Sequence, residues 1–249
     1  MAEGRSPRLA VLIDADNTSA KIADGLFEEV AKIGEASVRR IYGDFASPRS
    51  KSWADILAKH AIIPQQQFAY TTGKNASDIT LVIDAMDLLH SGRFDGFCLV
   101  SSDSDFTRLA SRIREQGVDV YGIGEQKTPL SFRQACHKFI YTENLLPKPP
   151  AAAGSAEAAK PLEPLEPIDK AVTILRGIVQ GIEDEEGWAS LSGIGNLLNR
   201  QEPDFDSRSY GFKKLSDLVR GVPAFEVTGA TGALRVRMRK AAKKAAKAR

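Results

Sequence analysis

Acidic residues recur just beyond apolar segments in this 249-residue chain. LAVLI (9–13) runs into Asp14-Ala15-Asp16-Asn17, and GFCLV (96–100) runs into Ser101-Ser102-Asp103-Ser104-Asp105. A third segment, 61–70, leads through Thr71-Thr72-Gly73-Lys74-Asn75 to Asp78. In an open α/β sheet, ligands bind beyond the carboxyl ends of the strands, so these distant segments aim carboxylates at one edge. Crowded carboxylates repel unless a cation neutralises them, and an all-oxygen set suits a hard ion such as Mg²⁺ or Mn²⁺. Such an ion activates water and stabilises charge on a phosphate during in-line attack. The pattern therefore predicts phosphodiester hydrolysis, with Asp14, Asp78 and Asp103 as metal ligands and Asp16 and Asp105 flanking them. Lys74 is a candidate phosphate contact, and Asn17 a candidate to orient a ligand or water.

Plainer roles compete for the same residues. Asp103 and Asp78 stand where helix caps and first-turn acids are common. Asp14 ends a buried strand, where aspartate fits poorly, so its chemistry is harder to explain by structure alone. Asp84 and Asp87 lie further along the Asp78 helix and suit solvent or an outer position. GxxxxGK is missing around Lys74, which rules out a Walker A loop. His60, His90 and His137 fall near element ends, Cys98 lies in an apolar strand, and Trp53 and Trp188 suit packing.

The elements that must position these residues alternate along residues 1–146. Continuous apolar runs at Leu9–Ile13 and Gly96–Ser101 read as strands buried on both faces of a parallel sheet. Further strands are expected at 36–42, within 61–70 (blurred by Pro64), at 118–123 and at 139–141. Between them, Asn17 or Thr18 caps a helix through Ile22, Leu26, Val30 and Ile33 that Gly34 ends. Ser47-Pro48 opens a helix through Trp53, Ile56 and Leu57, and Asn75 or Ser77 opens one through Ile79, Val82, Ile83, Met86 and Leu89. A helix with Phe106, Leu109, Ala110 and Ile113 follows the second buried strand. Five or six strands alternating with helices make a three-layer α/β domain with a mostly parallel sheet.

Residues 147–167 hold six of the twelve prolines and no aromatic residue, which marks a Pro/Ala-rich linker. Residues 168–239 then predict helices at 168–181, around 191–198 and near 209–219. Two short strands follow, at 224–228 and 234–238, joined by the turn 229–232. This is a small winged-helix-like α+β unit, a shape often used on nucleic acid. Eight basic and no acidic residues lie from Arg235 to Arg249; without them the net charge of +2 becomes −6 for residues 1–234. An acidic body with a basic tail at 240–249 suggests contact with polyanions. No apolar run approaches the roughly 20 residues of a spanning helix, and no secretory signal is read at the N-terminus. With only Cys98 and Cys136, a disulfide framework is excluded and a cytoplasmic, non-membrane protein is expected.

VLIDADN, NASDITLVIDAMDLL and LVSSDSDF, in that order, resemble the NYN family of PIN-like nuclease domains over residues 8–145. The resemblance implies a metal-dependent ribonuclease site carried by Asp14, Asp78, Asp103 and Asp105, with Asn17 beside them. FDSRSYGFKKLSDLVRGVPAFEV makes residues 168–239 similar to the OST-HTH (LOTUS) domain, whose members bind RNA or protein partners. The pair implies a nuclease with its own RNA-binding module. Arg208, Lys213, Lys214 and Arg220 are its expected phosphate contacts, together with the segment from Arg235 onward. Two rivals remain: a non-catalytic RNA-binding or scaffolding protein, and a haloacid-dehalogenase-like phosphatase using Asp14 and Asp16 of DADNT. The phosphatase wants its lysine after the strand-end Ser or Thr, whereas Lys74 precedes LVSSDSDF. Sequence pattern sets neither oligomeric state nor RNA preference.

Overall fold

The computed structural model describes residues 5–47, 50–67, 76–147, 164–230 and 233–239. By its contacts the chain divides into two compact units, Met1–Ala151 and Ala152–Arg249.

In the first unit the described elements are β1 (Arg8–Asp14), α1 (Ala23–Ile33), β2 (Glu35–Gly43), α2 (Lys51–Ala54), α3 (Leu57–His60) and β3 (Ile63–Gln66). They continue with α4 (Ala76–His90), β4 (Gly96–Val100), α5 (Thr107–Glu115), β5 (Asp119–Gly124), α6 (Leu130–Ala135) and β6 (Lys138–Tyr141). The six strands form one sheet in the order β3-β2-β1-β4-β5-β6, and every pairing is parallel. Strand order reverses between β1 and β4, so their carboxyl ends bound the crevice in which such sheets bind ligands.

Both central strands are buried along nearly their whole length, as their unbroken apolar runs require. Alternation along β1 sends Leu9, Val11 and Ile13 into a core with α1 and Trp53. Ala10 and Leu12 enter the opposite core, with Leu81 and Ala85 of α4 and Leu109 and Ile113 of α5. Asp14 shares their parity and therefore faces the α4 side.

Several local expectations change: of the α4 residues expected to face inward, Val82, Met86 and Leu89 pack on the core, but Ile79 and Ile83 are 61% and 58% exposed. The helix after β1 is preceded by a 3₁₀ turn, Ala20–Ile22, capped by Ser19, while Thr18 donates to the Val100 carbonyl at 3.2 Å. Gly34 does end α1, but in extended backbone (φ −179°) that any residue adopts. Glycine is needed because a Cβ there would lie 2.3 Å from the Pro7 carbonyl oxygen. The single helix expected through Trp53, Ile56 and Leu57 is two short ones, α2 and α3, separated at Asp55-Ile56. Pro64 is tolerated because β3 is the edge strand. Pro48, Asn75 and the segment 68–75 lie outside the described residues.

The second unit is built from α7 (Ile168–Ile182), β7 (Ala189–Ser190), α8 (Leu191–Gln201), α9 (Leu215–Gly221), β8 (Phe225–Thr228) and β9 (Arg235–Met238). Its strands form an antiparallel sheet ordered β7-β9-β8. The core joins Leu175, Ile178, Ile194, Leu198, Leu218 and Val236. The helix expected at 209–219 is broken: a 3₁₀ turn, Ser207–Tyr210, ends at Gly211, whose φ of +84° interrupts the α conformation before α9. β7 adds a strand that sequence pattern does not predict. Arg235 and Arg237 belong to β9 rather than to a tail; residues 148–163 and 240–249 lie outside the described residues.

Candidate active site

Asp14 is the anchor. It closes β1, is only 1% exposed, and accepts four hydrogen bonds. Its Oδ1 accepts from the backbone N–H groups of Asp16 (3.0 Å) and Asn17 (3.2 Å). Its Oδ2 accepts from Asn17 Nδ2 (2.9 Å) and Ser101 Oγ (2.7 Å). Burial raises the pKa of this carboxyl above the ordinary aspartate value, against the pull of those donors. The Asn17 side chain is thus turned onto Asp14.

Ser101 links the two central strands. Its hydroxyl donates to Asp14 and accepts from the Asp103 backbone N–H at 3.1 Å. Asp103 then caps the 3₁₀ turn Ser104–Phe106, accepting from the Asp105 N–H through Oδ1 at 2.9 Å. The capping role expected of Asp103 is real, and it engages one of the two oxygens. From the other side, Ser77 of α4 donates to Asp16 Oδ2 at 3.0 Å, which ties the first turn of α4 to the β1 loop.

Asp78 sits in that first turn. Its pKa is raised from 3.8 to about 6, first by burial and then by the charges of Asp14, Asp103, Asp16 and Asp105. Five acids from three separate segments therefore share one electrostatic field. Their oxygen chemistry and mutual repulsion fit a hard divalent cation. Among the described residues no group of three acidic, His or Cys side chains is placed to hold an ion. An ion that keeps several of its own waters needs only one or two direct carboxylates.

Asp84, the acid expected in an outer position, accepts from both the Arg40 guanidinium and the Tyr42 hydroxyl. It thereby clamps α4 onto β2, where Tyr42 is the register partner of Asp14. Asp87 is exposed, and Lys74 lies outside the described residues. Cys98 and Cys136 are free and buried, and Trp53, 1% exposed, donates its indole N–H to the Thr18 carbonyl at 2.8 Å.

A cleft of about 710 Å³ opens beside the acids, with Asp16, Asn17, Ser52, Asp103, Glu125 and Lys127 among its lining residues. Sequence reasoning misses Ser101, Glu125 and Lys127. The last two stand directly beyond β5 (DVYGIG, then Glu125-Gln126-Lys127), so the strand-end rule that finds the acids of β1 and β4 also reaches them.

The second unit presents a mixed surface. Lys213, Lys214 and Arg220 are exposed. Arg208 instead grips Asp206, with Nε at 2.9 Å and a terminal nitrogen at 2.6 Å from Oδ2. Arg235 is paired with Asp184, and Arg237 with Glu226 at 2.8 Å. Arg237 also lies 4.4 Å over the Trp188 ring.

The first unit is a fully parallel α/β sheet with acids gathered at its switch point, an architecture consistent with a PIN-like NYN domain. The NYN domain family model matches residues 8–145, and the chain belongs to the NYN family. The OST-HTH/LOTUS domain model matches residues 166–235, in the order expected. Among solved structures, a protein of unknown function from Vibrio parahaemolyticus is 19% identical, covering 57% of this chain and 96% of its own at a TM-score of 0.47. An uncharacterised protein from Nitrosomonas europaea is 31% identical, covering 38% of this chain and 93% of its own at a TM-score of 0.27. No curated protein matches. Among the described residues, no helix is long and apolar enough to cross a membrane.

Proposed function

We propose that this protein is a divalent-metal-dependent ribonuclease that hydrolyses RNA phosphodiester bonds at the β1/β4 edge. NYN domains are PIN-like ribonuclease domains and OST-HTH/LOTUS domains bind RNA, which supports the coarse reading. The observation that carries the finer one is geometric: buried Asp14 ends β1, Ser101 ties it to the Asp103 backbone beyond β4, and Ser77 ties the first turn of α4, which bears Asp78, to Asp16. Asp14, Asp78, Asp103 and Asp105 are the candidates to hold Mg²⁺ or Mn²⁺, one or two of them directly and the others, Asp14 with its four hydrogen bonds among them, through the ion's waters. Such an ion supplies Lewis-acid activation of water and offsets charge on the phosphate.

The chain's own residues prepare that chemistry. Asn17 and Ser101 fix the Asp14 carboxylate, and Ser101 passes the constraint to the Asp103 backbone. Ser77 holds the turn bearing Asp78 against the β1 loop. Lys74 remains a candidate phosphate contact. Lys213, Lys214 and Arg220 are the proposed RNA contacts of the second unit, while Arg208 must first exchange Asp206 for a phosphate. The buried free cysteines suit a reducing cytoplasm.

The phosphatase alternative wants its lysine after the strand-end Ser or Thr, whereas Lys74 precedes LVSSDSDF. Turnover of labelled RNA with Mg²⁺ or Mn²⁺ and its loss in EDTA test the proposal. Asp14→Asn and Asp103→Asn should abolish turnover; a variant folded by circular dichroism that cleaves at the wild-type rate overturns the assignment. Binding without turnover favours the scaffold, and phosphate release from small phosphoesters favours the phosphatase.

A further inference from the structure

The cleft beside the acids has a second wall, contributed by the loop after β5, with Glu125, Lys127 and Pro129 lining it. This loop is fastened on both sides. The Glu125 N–H donates to Ser102 Oγ at 2.9 Å, and the Gln126 N–H donates to the Glu143 carboxylate at 2.9 Å. A turn closes between them, with the Thr128 N–H donating to the Glu125 carbonyl at 2.9 Å. Ser102 immediately precedes Asp103, so the loop is anchored to the segment that carries this acid. Lys127 stands on this anchored backbone with its side chain 77% exposed, paired to Glu125 at 2.6 Å, a carboxylate that a bound phosphate must displace.

The lining decides what can bind. Thr18, Ser19, Ser52, Ser102 and Ser104 bring hydroxyls; Asp16, Asp103 and Glu125 bring carboxylates; Lys127 is the only cation among the described lining residues. Trp53 reaches the wall but is 1% exposed, so among the described lining residues no aromatic face is offered on which a base could stack. A ribose-phosphate unit has the complementary chemistry: an anion for the lysine and a 2′-hydroxyl that can donate to a carboxylate. The volume falls within the roughly 300–1,000 Å³ of small-ligand sites, enough for a nucleotide-sized unit.

We propose that this cleft is the subsite for one ribose-phosphate unit adjoining the scissile bond, with Lys127 as its phosphate contact. This rests on the ribonuclease reading, and the experiment separates the two.

The full-length protein is titrated with a fluorescent oligouridine in EDTA at several salt concentrations. In parallel, turnover of the same strand is followed with Mn²⁺. Lys127→Ala should weaken binding several-fold and flatten the log K against log salt slope by about 0.7, one single-strand phosphate contact. Lys127→Arg should restore the slope, and the turnover defect of Lys127→Ala should fall chiefly on KM. A merely structural effect would weaken binding without moving the slope, and that result, like unchanged binding, overturns the subsite. Lys127-dependent slope without wild-type turnover would remove the nuclease reading and keep the subsite. Normal turnover with an unchanged slope does the reverse, and a wild type that binds no oligouridine overturns both.

Discussion

A carboxyl whose pKa is raised on folding makes stability depend on pH in a defined direction. Asp78 goes from 3.8 to about 6, so between those values the folded state binds the extra proton. Its stabilising contribution is present below pH 4 and is lost as pH rises through about 6; Asp14 is shifted in the same direction. In EDTA, Asp78→Asn should therefore match the wild-type Tm at pH 4 and exceed it at pH 7.5. Adding Mg²⁺ at pH 7.5 should shrink or reverse that difference, because the wild type gains binding energy that the variant lacks. Thermal melts at both pH values check this, and an equal Tm throughout would mean that Asp78 stands outside the shared field. Asp14→Asn carries a second cost. It turns an acceptor of four hydrogen bonds into a group that donates from one end, leaving buried donors unpaired at about 1–3 kcal/mol. Asp14, Asp103 and Asp105 were legible because they follow apolar runs, and Asp78 because it stands in the first turn of a helix. Ser101 was not, since a serine after a strand carries no signal until β1 and β4 are known to be neighbours. Nor was the turning of Asn17 onto Asp14, which depends on the tight backbone of the Asp14–Asn17 loop.

At the scale of elements, α4 must sit on β2 for Asp78 to reach the other acids. The clamp is Asp84, half-buried, receiving Arg40 and Tyr42 from the strand. Asp84→Asn should cost about 2 kcal/mol, the range for hydrogen bonds to charged groups, and Tyr42→Phe about 1 kcal/mol. Urea unfolding of each variant measures this, and Asp87→Asn on the exposed side of the same helix should be within about 0.5 kcal/mol of wild type. Changes no larger than that control would show that α4 is held by its apolar face alone. The sheet's alternation and its two central strands could be read from sequence, because a strand buried on both faces leaves an unbroken apolar run. Strand order could not, since periodicity carries no information about neighbours. The break at Gly211 escaped for a related reason. Phe212, Leu215, Leu218 and Val219 keep helical spacing, while the positive φ of Gly211 and the extended backbone of Lys214 separate the turn from α9.

For the whole molecule, charge and binding are divided along the chain. Residues 1–234 carry −6, and the acids at the β1/β4 edge repel a polyanion at long range, so affinity has to come from elsewhere. Within the second unit, Arg235 and Arg237 answer Asp184 and Glu226, and Arg208 answers Asp206, which removes three of the expected cations from the count of uncompensated charge. Lys213, Lys214 and Arg220 are exposed and are the first contacts to test, and the basic segment 240–249 is the second. Replacing those three by alanine should flatten the salt slope by about 2, at about 0.7 for each single-strand phosphate contact. Deleting 240–249 should lower affinity about equally for every RNA sequence, as phosphate contacts do. Arg208→Ala should cost stability before it costs affinity. Removing residues 168–249 should weaken binding further and flatten the salt slope, while the isolated residues 1–146 keep slow metal-dependent cleavage at high enzyme concentration. Filter binding across a salt series measures the affinities and slopes, thermal melts the stability of Arg208→Ala, and turnover of labelled RNA the cleavage by the fragment. If the full chain and the 1–146 fragment bind RNA equally and with the same salt dependence, the second unit docks a protein instead, and the nuclease unit must find its RNA through the Lys127 cleft alone.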